Sequence, residues 1–132
     1  MSILLVSVAV IVEGRTVLVN KHGDTPFWKL CGGRLETFDQ NLKEACLREA
    51  KEEMGIRLEF LSEEPYFFYT KKDTPDGQVD VILVHYLAKR VGEITPGADI
   101  REWVWLPIDR LENGDIAPNI QPALKHFGFI GE

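Results

Sequence analysis

From Gln40 to Met54 the chain runs for fifteen residues without glycine or proline, between an aspartate, Asp39, and a glycine, Gly55. Most residues in that run are good helix formers. Asp39 reads as the N-cap, its carboxylate accepting from the free amides of the first turn, and Gly55 as the stop. Leu42, Ala45 and Cys46 continue one face of this helix, and Leu47, Ala50 and Met54 form an adjoining apolar stripe. A helix buried over much of its circumference needs a sheet to lie on.

The flanking sequence supplies the strands. Residues 3–12 carry valine, leucine and isoleucine at both alternating positions, which fits a central strand covered on each side. Glu13-Gly14-Arg15 makes a tight turn, and Thr16 to Asn20 returns as a second strand. Residues 21–27 read as a loop, Trp28 to Leu30 as a short strand leading into Gly32-Gly33, and the following residues as a loop to about Phe38. After the helix, Ile56, Leu58 and Phe60 alternate with Arg57 and Glu59. Tyr66 to Thr70 and Val79 to Ala88 are two further strands around a loop at 71–77, and Glu102 to Pro107 is the last. Residues 92–100 read as a loop, 109–118 as turn-rich, and 120–127 as a short terminal helix. The pattern implies an α/β (α+β) fold with helices packed on a mixed sheet. No linker or repeat divides it, so residues 1–132 read as one domain.

Charge and cysteine content narrow the partners. A formal net charge of −6 disfavours binding to a nucleic-acid polymer, which needs a basic surface. A phosphate substrate stays open, because a bound cation can reverse the local sign. The apolar stretch at the start is too short to span a bilayer and lacks the flanks of a secretion signal. Cys31 and Cys46 read as reduced thiols, Cys46 within the core, and the expected location is cytoplasmic.

The chemistry concentrates in Arg48-Glu-Ala-Lys-Glu-Glu-Met-Gly-Ile56. At about 100° per helical residue, Glu49, Glu52 and Glu53 share one sector of the helix surface. Carboxylates that close repel one another unless a proton or cation compensates. Oxygen ligands of this kind suit Mg²⁺ or Mn²⁺ rather than zinc or copper. Glutamates also occur on plain solvated helix faces, here with Arg48 and Lys51 at pairing distance in sequence. The glycine pair and the arginine at their particular spacing favour a site.

The segment from Gly33 to Ile56 resembles the Nudix box, G-x5-E-x7-R-E-U-x-E-E-x-G-U with U a bulky aliphatic residue. Arg48-Glu49, Glu52-Glu53, Gly55 and Ile56 match it directly, and Trp28-x-Leu30 before Gly32-Gly33-x-x-Glu36 resembles the usual approach. The chain departs from the pattern in several places. Asp39 stands where the first glutamate belongs, and eight residues rather than seven separate it from Arg48; counting back from Arg48 reaches Gln40 instead. Ala50 replaces an aliphatic residue, and Cys31 stands where proline is common. The extra residue is expected to be absorbed before the helix, leaving the helix regular.

The resemblance to this MutT-like family implies an αβα sandwich around a mixed sheet. It also implies a pyrophosphohydrolase dependent on Mg²⁺, with Mn²⁺ as a substitute. Its substrate would be a nucleoside diphosphate linked to another moiety, such as a nucleoside triphosphate, a nucleotide sugar or an ADP-ribose-type compound. The implied metal ligands are Glu49, Glu52, Glu53 and a carbonyl of the glycine pair, Gly32 or Gly33. Arg48 would hold a helix carboxylate in place, and Glu52 or Glu53 would position the attacking water. Asp99, in Asp99-Ile-Arg-Glu102-x-x-Trp105, is the candidate general base, with a loop-capping role as its alternative and Glu102 as the next candidate. Relatives often pair, so a homodimer is a candidate assembly, although no segment is diagnostic of an interface.

Substrate contacts are left open by the sequence. Phe27, Trp28, Phe67, Phe68, Tyr69, Trp103 and Trp105 could stack on a base, but most are expected in the core. Lys71, Lys72 and Arg101 could meet phosphates; His22 has no assignment, and His85 reads as a packed core histidine. The competing functional reading is a non-catalytic nucleotide-binding or regulatory module on the same fold.

Overall fold

The apolar alternation of the first strand divides the core into two halves. In a computed structural model, which describes residues 2–113 and 115–131, strand β1 spans Ile3–Glu13. Met1, Gly114 and Glu132 lie outside the described residues, and with them both ends of the 1–132 domain and one residue of the turn-rich 109–118 segment. Val8 and Val10 point to one side of β1 and join Val17, Val19, Ile120, Ala123 and Leu124. Ala9 and Ile11 point to the other and join Leu18, Cys46, Ala50, Met54 and Ile56. This is the two-faced burial that a hydrophobic run without polar alternation requires.

The remaining strands are β2 (Thr16–His22), β3 (Cys31–Arg34), β4 (Arg57–Phe60), β5 (Tyr66–Thr74), β6 (Gly77–Val91) and β7 (Ile100–Pro107). They form a seven-stranded mixed sheet in the order β4-β6-β1-β2-β7, with β3 paired to β1 and β5 to β6. Among the described strands, β1 and β6 are the parallel pair, from Ile3 opposite Asp80 to Ile11 opposite Ala88. Helix α1 (Leu42–Met54) covers one face and helix α2 (Ile120–His126) the other.

Several boundaries differ from the sequence reading. The N-cap of α1 is Asn41, whose side-chain oxygen accepts from the Glu44 amide at 2.8 Å; Asp39 stands two residues earlier. The extra residue therefore falls before the helix, which is continuous from Leu42 to Met54. Gly55 ends it with φ of 67°, a left-handed conformation that costs glycine little. The short strand expected at 28–30 lies instead at Cys31–Arg34, so the glycine pair is itself paired with β1. The segment 71–77 is the end of a long hairpin, with Lys71 to Thr74 paired to Gly77 to Asp80. Strand β7 begins two residues early, at Ile100. Leu47, expected in the apolar stripe, is 39% exposed.

Candidate active site

The glycine pair sets the distance between β3 and its neighbours. A Cβ on Gly32 would collide with the Ser7 carbonyl oxygen and lie 2.9 Å from Val8 Cα. A Cβ on Gly33 would instead occupy the space of the Glu49 carboxylate. The two glycines thus let β3 press against β1 on one side and let α1 lay its acidic face against β3 on the other. The Gly32 amide donates to Glu53 Oε1 at 3.1 Å, in a buried contact.

Glu49, Glu52 and Glu53 line one cleft of about 90 Å³ together with His22 and Asp99. Asp99 is forty-six residues beyond Glu53, so its arrival depends on the loop that precedes β7. That loop docks on the C-terminal end of α1: the Thr95 amide donates to the Met54 carbonyl at 2.8 Å and the Gly97 amide to the Glu53 carbonyl at 2.9 Å. A bond from the Gly23 amide to the Asp99 carbonyl at 3.0 Å ties the same loop to the end of β2. Glu102 lies outside the cleft, its carboxylate 3.9 Å from Lys21 and 3.6 Å from Arg101.

Arg48 organises the carboxylates from the side. Its guanidinium donates to both Asp39 oxygens at 2.9 and 3.0 Å, to Glu49 at 3.0 Å, to Glu52 at 3.2 Å and to the Arg34 carbonyl at 3.0 Å. The planar fork explains how one side chain can serve so many acceptors. Hydrogen bonding from Arg48 holds the Asp39 carboxyl below the ordinary carboxylate range. Asp39, at the position of the family's first acid, therefore anchors the arginine and lines no part of the cleft.

Burial pushes the Glu49 carboxyl upward, the neighbouring Glu53 charge adds to the effect, and Arg48 opposes it. Glu49 and Glu53 side chains are only 15% and 9% exposed, whereas Glu52 is 59% exposed. Lys29 Nζ sits 3.5 Å from Glu53 Oε2. Burial, then Glu53, also raises the Cys31 thiol well above its usual value, so Cys31 remains a protonated packing group. Cys46 is likewise pushed up to about 12 by burial.

The oxygen-only donors suit a hard divalent cation. Among the described residues, no group of three histidine, cysteine, aspartate or glutamate side chains is arranged as a finished cation cage. Glu49 and Glu52 each give an oxygen to Arg48, and Glu53 gives one to the Gly32 amide. The second oxygens of Glu49 and Glu52, and Glu53 Oε2 once Lys29 turns from it toward an anionic ligand, fit the implied ion in chemistry.

A separate groove of about 380 Å³ lies on the opposite sheet face, lined by Phe27, Phe68, Lys29, Lys71, Lys72 and Asn119 among others. Lys29 and Gly32 border both this groove and Glu53. Phe27 and Phe68 thus meet the groove, whereas Phe67 and Tyr69 are exposed at 61% and 57% on the other face of β5, so the expectation that most of these aromatics are core does not extend to them. Trp28 and Trp105 pack against the core, and Trp103 is 38% exposed. Arg101 braces a loop through the Gly23 and Thr25 carbonyls, at 2.7 and 2.9 Å, and does not face the groove.

His85 is fully buried, as expected, with Nδ1 3.1 Å from the Tyr66 carbonyl and Nε2 2.9 Å from Asn119 Nδ2. A carbonyl only accepts, so Nδ1 carries the proton and Asn119 donates to Nε2. Burial lowers the His85 pKa to about 4, consistent with a neutral ring. Lys29, His22 and Asn119 were not singled out as site residues by the sequence. Lys29 alone carried a signal, its place inside the Trp28-x-Leu30 approach to the glycine pair.

The NUDIX domain model matches residues 3–127, nearly the whole described chain. The chain belongs to the NUDIX family. Its fold is similar to that of a MutT NUDIX hydrolase from Burkholderia pseudomallei, at 22% identity and TM-score 0.75 over 95% of this chain and 98% of that one. A MutT protein from Methanosarcina mazei Go1 superposes with TM-score 0.77 at 17% identity, covering 96% and 93%. A NUDIX-family hydrolase from Clostridium perfringens gives TM-score 0.71 at 23% identity, covering 93% and 97%. No curated protein matches the chain in sequence. Among the described residues, no helix is long and apolar enough to cross a membrane.

Proposed function

We propose that residues 1–132 form one catalytic domain, a Mg²⁺-dependent pyrophosphohydrolase that cleaves a nucleoside diphosphate linked to another moiety. The observation that carries this reading is the gathering of Glu49, Glu52, Glu53 and Asp99 around one cleft, with Lys29 and Gly32 leading from it to a groove sized for a small molecule. The carboxylates of Glu49, Glu52 and Glu53, the last exchanging its Lys29 partner for the ion, would hold the divalent ions together with the Gly33 carbonyl. Such ions supply charge neutralisation on a diphosphate and a lower pKa for water.

The chain's own groups do the rest. Lys29 meets the phosphate on the groove side, where its ammonium already faces Glu53 at 3.5 Å. Arg48 fixes the direction of Glu49 and Glu52 through the bonds described above. Asp99 Oδ accepts the proton of the attacking water, a role supported by its place in the cleft opposite the helix. Phe27 and Phe68 offer apolar surface to a base, and Lys71 and Lys72 offer positive charge. Two buried free thiols, Cys31 and Cys46, support a reducing, cytoplasmic setting.

Incubation with a panel of nucleoside triphosphates, nucleotide sugars and ADP-ribose, with and without Mg²⁺, tests the proposal. Mg²⁺-dependent release of phosphate, pyrophosphate or a nucleoside monophosphate is the expected result. Absence of turnover on every compound would leave the binding-module reading in its place.

A further inference from the structure

Strand β5 forms an outer edge of the sheet. It pairs with β6, and among the described residues no strand pairs with its other side. The two-residue turn Pro75-Asp76 makes Thr74 and Gly77 a hydrogen-bonded pair, so Lys72, Thr70, Phe68 and Tyr66 also spend their amides and carbonyls on β6. Phe67, Tyr69, Lys71 and Asp73 alternate with them and turn theirs outward. The strand that carries these free groups is nine residues long, about 30 Å. The helices leave it open. Helix α1 packs on β1, β3, β4 and β6, and α2 meets β5 at Tyr66, where His126 stacks with ring centres 4.7 Å apart.

Such an edge is a template for another strand unless the sequence blocks it. Tyr66-Phe67-Phe68-Tyr69-Thr70 contains no charge, proline or glycine, and Phe67 and Tyr69 are exposed. Prolines stand at 65 and 75, just outside the two ends and equally far from Thr70. An antiparallel match of β5 with a second β5 about Thr70 therefore uses the whole strand, Tyr66 to Thr74, with no proline inside it. The same match sets Lys71 opposite Tyr69 and Lys72 opposite Phe68, and symmetry repeats both pairs. Each ammonium then lies beside an aromatic ring, a favourable cation–π arrangement. Neighbouring registers are poorer. A centre at Tyr69 sets the outward groups of Asp73 against Pro65, which has no N–H to give, and a centre at Lys71 sets that lysine against its own copy.

We infer that the free edge of β5 receives β5 of a second copy of this chain, joining two sheets into one about a two-fold axis at Thr70. The outward amides and carbonyls of Phe67, Tyr69, Lys71 and Asp73 find their partners across that axis. Paired residues point to the same side of a sheet, so both copies keep α1 on one face and the groove of about 380 Å³ on the other. Phe68 and Lys72, which line the groove, face Lys72 and Phe68 of the second copy. The groove thus gains an outer wall from the neighbouring strand. The pairing uses no residue of the acidic cleft, so it stands or falls apart from the hydrolase reading.

Sedimentation velocity over about 1–200 μM protein tests the pairing. Wild type should approach twice the 15.0 kDa of one chain as concentration rises. Tyr69→Lys sets lysine against Lys71 of the second copy and should weaken the dimer about tenfold or more. Its fold should survive, because position 69 is exposed and Asp80, which accepts from the Tyr69 hydroxyl at 2.6 Å, can also meet a lysine. Tyr69→Lys combined with Lys71→Tyr exchanges the two members of the pair and should restore the dimer to within about threefold of wild type. Lys71→Pro removes an outward N–H without touching the β5–β6 ladder and should weaken the dimer about tenfold or more. Circular dichroism checks the fold of each variant. A wild type that stays monomeric throughout overturns the inference. So does a dimer unmoved by Tyr69→Lys and Lys71→Pro, or a double substitution no stronger than Tyr69→Lys alone.

Discussion

Alanine substitution at the two adjacent glycines separates a structural requirement from a catalytic one. Neither glycine has a positive φ, so added Cβ atoms act through space alone. At Gly32 the obstacle is the backbone of β1, the Ser7 carbonyl and Val8 Cα, which cannot move without disturbing the core strand. Overpacking of that kind costs about 1–3 kcal/mol. With an unfolding entropy of about 2.1 cal/mol/K per residue, a chain of this size should lose about 4–11 °C in Tm. At Gly33 the obstacle is the far end of the Glu49 side chain, which can rotate away. Rotation gives up the Arg48–Glu49 pair, worth about 0.2–1 kcal/mol, while replacing glycine recovers about 0.4–1 kcal/mol from the unfolded state. Gly33→Ala should therefore melt within about 3 °C of wild type. Its turnover should fall about a hundredfold, the usual cost of moving a reacting group by about an ångström. Calorimetry and steady-state kinetics on both variants decide the matter. Full turnover in Gly33→Ala, or equal destabilisation by both substitutions, would refute the reasoning.

Three further outcomes follow from the same geometry. Glu53→Gln should lower kcat by orders of magnitude while its circular dichroism and Tm stay near wild type; wild-type activity in that variant would show that the ion is held elsewhere. Asp99→Asn should reduce kcat about 10²–10⁴-fold, and a pH–rate profile should lose its acidic limb; an unchanged profile would remove Asp99 from the role of base. His85 is held neutral, its folded pKa of about 4 lying below the unfolded value of 6.5. Its contribution is thus complete above about pH 6.5 and is lost as pH falls toward 4, by about 3 kcal/mol at most. Urea midpoints measured across that range should fall less steeply in His85→Gln, and identical slopes would contradict the assignment.

The parts legible in sequence were those set by local pattern. Helix α1 could be placed because a run of helix formers, a glycine stop and a repeated acidic spacing all lie within one segment. Its cap could not, because Asp39, Gln40 and Asn41 crowd the start, and Arg48, nearly two turns into the helix, draws Asp39 away. The glycines of β3 look like a turn until their close approach to Ser7, Val8 and Glu49 is known. The 71–77 hairpin end is exposed on an outer strand, so Lys71, Lys72 and Asp73 carry no apolar alternation to announce pairing. Asp99 could be proposed from its neighbours in sequence, but its place in the cleft depends on Thr95 and Gly97 bonding to the end of α1, a contact no local pattern encodes.

Divalent-cation binding addresses the central claim most directly. Titration of the metal-free protein with Mn²⁺, followed by electron paramagnetic resonance, should show saturable binding that Mg²⁺ displaces. The Glu49→Gln and Glu53→Gln variants should each weaken it by tenfold or more. Binding of equal strength in wild type and both variants, or no saturable binding at all, would contradict the account.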